Sequence, residues 1–94
     1  MTPAHPVRHN AAASRYEIQV DGVFAVAEYE MRNGRQNFTH TFVPEELRGR
    51  GLAEALVRTA LDDATAAGRT VVPSCSYVAK FIERNPQYHS LVAE

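Results

Sequence analysis

A strand that stops at a proline, two glycines one residue apart and a helical repeat close behind them leave this chain few ways to fold. Asn37-Phe38-Thr39-His40-Thr41-Phe42-Val43 reads as the strand and ends at Pro44. Leu52, Leu56, Val57, Ala60, Leu61 and Ala64 then recur at helical spacing until Gly68 stops them. Between the two lies Arg48-Gly49-Arg50-Gly51-Leu52-Ala53. Its glycines remove side chains where backbone N–H groups must approach a ligand. The helix that follows adds unpaired N–H groups and the positive end of its dipole. Arg48 and Arg50 add two fixed charges. Such a segment suits an anion, above all a phosphate ester. The bland alternative is a glycine-containing helix start with two solvated arginines.

The rest of the pattern predicts one topology. Residues 1–13 carry Pro3, Pro6 and three consecutive alanines without a period, and read as a flexible tail before a single domain over 14–94. Tyr16, Ile18 and Val20 alternate with Glu17 and Gln19, as in a half-buried strand. Asp21-Gly22 is a hairpin signal. The next strand runs from Val23 to about Met31, with Phe24 and Val26 on one face and Ala25, Ala27 and Tyr29 on the other. Asn33-Gly34 turns the chain into the strand over 37–43, which completes an antiparallel meander.

The helix over 51–67 carries Glu54, Arg58 and Asp62 at supporting i,i+4 spacing. Arg69 to about Ser74 predicts a fourth strand, parallel to the third and beside it, because a strand–helix–strand unit joins parallel neighbours. A short helix over 76–84 follows, with Ser76 as N-cap and Tyr77, Val78, Phe81 and Ile82 as its buried stripe; Pro86 stops it. The expected class is α+β: a mixed four-stranded sheet, a meander followed by a strand–helix–strand crossover and a short C-terminal helix.

Composition serves here mainly to exclude. Ninety-four residues suffice for one core. A formal charge of −1 offers no broad basic field for nucleic acid. No run approaches the ~20 apolar residues of a membrane span, and the N-terminus lacks a signal-peptide apolar region. One cysteine has no internal disulfide partner, which points to a reducing, cytoplasmic setting for a monomer or small homo-oligomer. His5 and His9 have helical ligand spacing but no third ligand, so no metal is expected. The P-loop ending Gly-Lys-Ser/Thr is missing, and Glu54 stands where the dinucleotide fingerprint wants its third glycine.

Arg48, Gly51 and Ala53 instead fit Arg-x-x-Gly-x-Ala, which resembles the coenzyme A pyrophosphate loop of the GNAT superfamily of acyl-CoA N-acyltransferases. His40-Thr41-Phe42-Val43-Pro44, then Val72-Pro73-Ser74-Cys75-Ser76-Tyr77 and Asn85-Pro86-Gln87-Tyr88, narrow the likeness to the short, single-domain branch of that superfamily. The resemblance covers residues 15–92. It implies a fold that takes acetyl-CoA where the third and fourth strands part, with the pyrophosphate on residues 48–53 and the pantetheine arm against Phe42 and Val43.

Residue chemistry supports a reaction there. Ligands of open α/β sheets bind outside the carboxyl ends of strands, and Pro73, with no N–H, helps the two strands separate. Cys75 stands just before a helix start, whose dipole favours a thiolate. A lone cysteine is often only a small buried apolar residue, but the resemblance makes Cys75 an active-site residue. His40, expected on one face with Phe38 and Phe42, suits a structural role or that of a base. An ammonium has no lone pair to attack with, so amine acylation needs such a base, for the amine or for Cys75. Full-size members of the superfamily often carry a tyrosine acid after the fourth strand; Tyr77 and Tyr88 are near in sequence, and neither clearly takes its position. Lys80 can reach a phosphate or lie solvated, and Glu28 and Glu30 can attract a cationic acceptor or form a solvated face.

The expectation is therefore an acetyl-CoA-dependent N-acetyltransferase acting on an amine, a small molecule or a protein lysine. Cys75 and His40 are the catalytic candidates; Phe42, Val43, Arg48, Gly49, Arg50, Gly51, Leu52, Ala53 and Lys80 are the cofactor-binding ones. The competing expectations are a non-catalytic acyl-CoA-binding or protein-interaction module and, more weakly, a structural domain with no cofactor.

Overall fold

The computed structural model describes residues 6–92. A five-stranded sheet runs in chain order: β1 Arg8–Asn10, β2 Arg15–Val20, β3 Val23–Arg32, β4 Arg35–Phe42 and β5 Thr70–Pro73. Neighbours are antiparallel up to β4, and β4 and β5 are parallel. Helix α1, Leu52–Ala67, makes the crossover; α2, Ser76–Arg84, follows β5. Both hairpin turns have the backbone their sequences call for. Asp21 and Gly22 have φ of 50° and 79°, and Asn33 and Gly34 have 53° and 76°, the double left-handed turn that matches strand twist.

One hydrophobic cluster fills the space between the helices and a single face of the sheet. Tyr16, Ile18, Ala25, Ala27, Tyr29, Phe38 and Val71 meet all six residues of the α1 stripe there, together with Val78, Phe81 and Ile82 of α2. Tyr77 is not part of it: expected in the buried stripe, it is 39% exposed, because the first turn of α2 projects past the end of β5. Cys75 rather than Ser76 is the N-cap of that helix.

Two further expectations change. The sheet has five strands, not four, and residues 8–13 are not a loose tail. Arg8–Asn10 pair with Arg15–Glu17, and Ala11–Ala13 form a 3-10 turn capped by Asn10 Oδ1, which accepts from Ala13 N at 3.1 Å. The His9 ring stacks on Tyr16 at 4.2 Å and 3°, and its Nε2 lies 2.6 Å from the Tyr29 hydroxyl. A strand of three residues shows no alternation, and its fixing contacts lie on other strands. His5 lies outside the described residues, and His9 is engaged by these two tyrosines.

The last correction bears on the site. Glu28 pairs with His40 but Tyr29 pairs with Phe38, so Thr39 is an extra residue and β4 carries a bulge. The bulge reverses the alternation. Phe38 and, past it, Thr41, which pairs with buried Ala27, share the helix-covered face. His40 and Phe42 point to the other face, their rings 6.2 Å apart, beside Glu28 and Val26. His40 therefore does not share a face with Phe38.

If His9 fastens β1 as the geometry states, His9→Ala removes one hydrogen bond and one ring contact. The unfolding free energy in urea is expected to fall by about 1 kcal/mol, with far-UV circular dichroism unchanged; an unaltered midpoint would show that β1 contributes nothing.

Candidate functional site

The parallel pairing of β4 and β5 covers only Arg35–Phe38 against Thr70–Pro73. Pro73 has no N–H to extend it, and the last tie is Cys75 N–H to the Phe38 carbonyl at 2.8 Å. Beyond that bond Thr39–Phe42 have no partner in β5. The strands thus part before β4 ends, with Pro73 facing Phe38.

After β4, Pro44 starts a 3-10 turn over Glu45–Leu47, anchored by buried Leu47. The chain then bends through Gly49 at φ 81° and Gly51 at φ 74°. A Cβ on either would meet no protein atom within 4 Å, so it is the backbone conformation that calls for glycine. The first helical bond is Ala55 N–H to Gly51 O at 3.1 Å, and no side chain caps α1. Consequently the N–H groups of all six residues from Gly49 to Glu54 donate to no protein acceptor among the described residues. Arg48 has a local task besides the expected one. Its Nε donates to the Val43 carbonyl at 3.0 Å, so it braces the loop against β4.

These elements enclose an open cavity of about 460 Å³. Of the expected cofactor residues, Phe42, Val43, Arg48, Gly49, Gly51, Leu52 and Ala53 line it. Arg50 is exposed alongside, and Lys80 lines a second hollow of about 340 Å³ with Ser76, Tyr77, Phe81 and Arg84. Thr41 and Tyr77 also wall the first cavity. Neither was among the expected cofactor-binding residues. The inward turn of Thr41 depends on the bulge, and no residue type announces it.

Cys75 is half-buried behind Thr41, whose Oγ1 lies 3.4 Å from Sγ. Burial alone would push its thiol up. The Thr41 hydroxyl, with the N–H dipoles of Val78, Tyr77 and Thr41, outweighs that and holds the thiol below its usual range, although neither α2 amide forms a capping bond to it. His40 is not near this pair: it projects from the opposite face of β4. Tyr88 is also removed from the site, its hydroxyl donating to Asp62 Oδ1 at 2.6 Å. Tyr77 keeps its proton: burial first, then the Glu54 charge, raises it above the ordinary phenol value. Among the described residues no three His, Cys, Asp or Glu side chains gather as a metal ion requires.

The family model for the GCN5-related N-acetyltransferase domain matches residues 15–91. The chain is similar to protein NATD1 of Bos taurus, 32% identical over 83 residues that make up 85% of this chain and 74% of that protein. It is also similar to NATD1 of Xenopus tropicalis, at 29% over 91 residues, 92% and 84% of the two chains. In structure it matches a GCN5-like protein of Staphylococcus aureus solved by NMR, with a TM-score of 0.73, 22% identity and coverage of 94% of this chain and 87% of that one.

Gly51→Ala forces a side chain into the left-handed region and is expected to lower stability by about 1–2 kcal/mol in urea unfolding; a neutral result would remove the conformational argument. Alkylation of Cys75 by iodoacetamide should rise with pH through a midpoint below that of free cysteine, since its thiolate is favoured. Thr41→Val should move that midpoint upward. A wild-type midpoint at or above free cysteine would contradict the electrostatics.

Proposed function

Because this chain belongs to the GCN5-related N-acetyltransferase family, we propose that it binds acetyl-CoA and moves the acetyl group to an amine. The observation that carries this reading is the run of six N–H groups from Gly49 to Glu54 without a partner among the described residues, five of which belong to residues on the wall of a cavity that reaches Thr41, the neighbour of Cys75. Such a run, backed by the dipole of α1, suits the diphosphate of the coenzyme. Arg50 adds charge at its rim, and the bracing of Arg48 keeps the amides in place.

The pantetheine arm lies along Phe42 and Val43, where β4 has lost its neighbour and keeps main-chain groups for an amide-bearing ligand. The thioester end then falls between two faces of β4. Thr41 and Cys75 stand on the helix-covered side, and His40 on the open side beside Glu28. An amine arriving from the open side gives its proton to His40 and attacks the carbonyl carbon. The departing thiolate takes a proton from a group that still holds one, and Tyr77 on the cavity wall does. Alternatively the Cys75 thiolate takes the acetyl group first and hands it to the amine. The open groove suits a small amine or an exposed lysine, and the lone cysteine fits a cytoplasmic monomer or small oligomer.

Acyl-CoA binding without turnover is the second reading. One observation favours it: Cys75 and His40 do not form a nucleophile–base pair.

Incubation with acetyl-CoA and a panel of amines, read by release of free CoA, is expected to give turnover that Cys75→Ala reduces at least tenfold. Mass spectrometry then separates the routes, since an acetyl adduct on Cys75 marks the covalent one and turnover without it marks direct transfer. Tight binding with no release would leave the module reading standing; no binding of the coenzyme would end both.

A further inference from the structure

The face of the sheet without helices carries an apolar patch with one uncompensated acid beside it. We propose that this patch seats the acceptor, and that the acceptor is a monoamine with an apolar body: its ammonium lies between Glu28 and His40, and its body lies on Val26 and Phe42. This rests on the transferase reading above and names its substrate class.

Charge selects a single ammonium. Glu17, Glu28 and Glu30 share this face, since they alternate with the buried Ile18, Ala27 and Tyr29 of the core. Two of the three are already neutralised. Arg15 Nε lies 2.7 Å from Glu17, and Arg32 Nη2 lies 2.7 Å from Glu30. Arg15 stands directly across from Glu28, yet its guanidinium is drawn to Glu17 and over the Phe24 ring at 5.5 Å. Glu28 is left half-buried, with no ion pair among the described residues. The further charges of a polyamine would find Glu17 and Glu30 taken.

The patch itself selects the body. Val26 is 9% exposed and yet lies outside the core cluster, because it faces away from the helices. Phe42, its partner across the ladder, is 45% exposed, and Phe24 is 37% exposed. Large rings left in water around a buried valine offer a hydrocarbon a surface to cover.

Position joins the two. Val26 and Phe42 are the register pair two residues along from Glu28 and His40, about 7 Å away along the strands. A short carbon chain spans that distance from its nitrogen. Phe42 also lines the cradle cavity, so the patch is continuous with the space for the coenzyme.

Release of CoA from acetyl-CoA by the full chain tests this, with heptylamine and 1,6-diaminohexane as acceptors. The two differ by a methyl group against a second ammonium at the far end. Heptylamine is expected to give a kcat/KM at least tenfold higher. Glu28→Gln should lower that value at least tenfold, chiefly through KM for the amine, with an unaltered melting temperature to show that it folds. Phe42→Ala should erase the preference between the amines, a ratio that stands whatever the change does to coenzyme binding. NMR shifts of Val26, Glu28, His40 and Phe42 on adding heptylamine should place the amine independently of turnover. Equal use of the two amines, an unchanged KM in Glu28→Gln, or shifts confined to other residues would overturn the proposal while leaving transfer intact. Shifts of this patch on dilution without amine would overturn it too, as the mark of a second copy on this face. Heptylamine shifts on the patch with no CoA released from any amine would bring down the transferase reading and keep only the amine seat. Neither shifts nor release would bring down both.

Discussion

The hydrogen bond from Cys75 N–H to the Phe38 carbonyl is where the parallel pairing of this sheet ends, and the candidate site is arranged around that end. On one side of it, β4 is an interior strand, paired to β3 and β5, with Phe38 sealed in the core. On the other, β4 runs on for four residues with an open edge. Open edges are normally a hazard, because unpaired main-chain groups invite another strand. Here the edge adjoins a cavity and a loop of unpaired amides. In the proposed function a ligand supplies the partners that the fold withholds.

The bulge at Thr39 acts on the same strand in a second way. By reversing the alternation once, it lets β4 carry Phe38 in the core and still aim Thr41 at Cys75. The same reversal sends His40 to the face without helices. An unbulged strand would leave His40 on the face of Phe38 and turn Thr41 away. In the proposed function, one polar group on each side of the strand gives the thioester two distinct approaches, one beside a thiol and one beside an imidazole. That separation suits an acceptor and a coenzyme entering from opposite sides.

The electrostatics of the loop come from backbone more than from side chains. The Arg48 Nε is turned back onto Val43 and holds the loop shape, while the N–H groups of Gly49–Glu54 have no partner among the described residues. Backbone donors are fixed by the left-handed glycines and by the start of α1, so little freedom remains to be lost when an anion arrives. On α2 the balance is different: Lys80 and Arg84 bring full charges on flexible stems. The two hollows that share Tyr77 thus differ in what they present, fixed backbone donors in one and full charges on flexible stems in the other.

Much of this was legible locally. The α1 stripe, both turns, the glycine loop and the parallel crossover follow from spacing within about one helix or one hairpin, and each appears where that spacing put it. What the chain did not announce depends on partners far along it. β1 is held against β2 with His9 set on Tyr16 and Tyr29, and three residues carry no period of their own. The Thr41–Cys75 contact joins residues 34 apart and depends on one unpaired residue in the ladder. Tyr77 has the spacing of a core residue, yet in the first turn of α2 it stands on the cavity wall. Local sequence determined which elements form and that a glycine loop with free N–H groups joins two of them, because turn chemistry and periodicity act over a few residues. Tertiary structure decided which side chains gather beside that loop, because strand register and the point where pairing stops are set by the whole sheet.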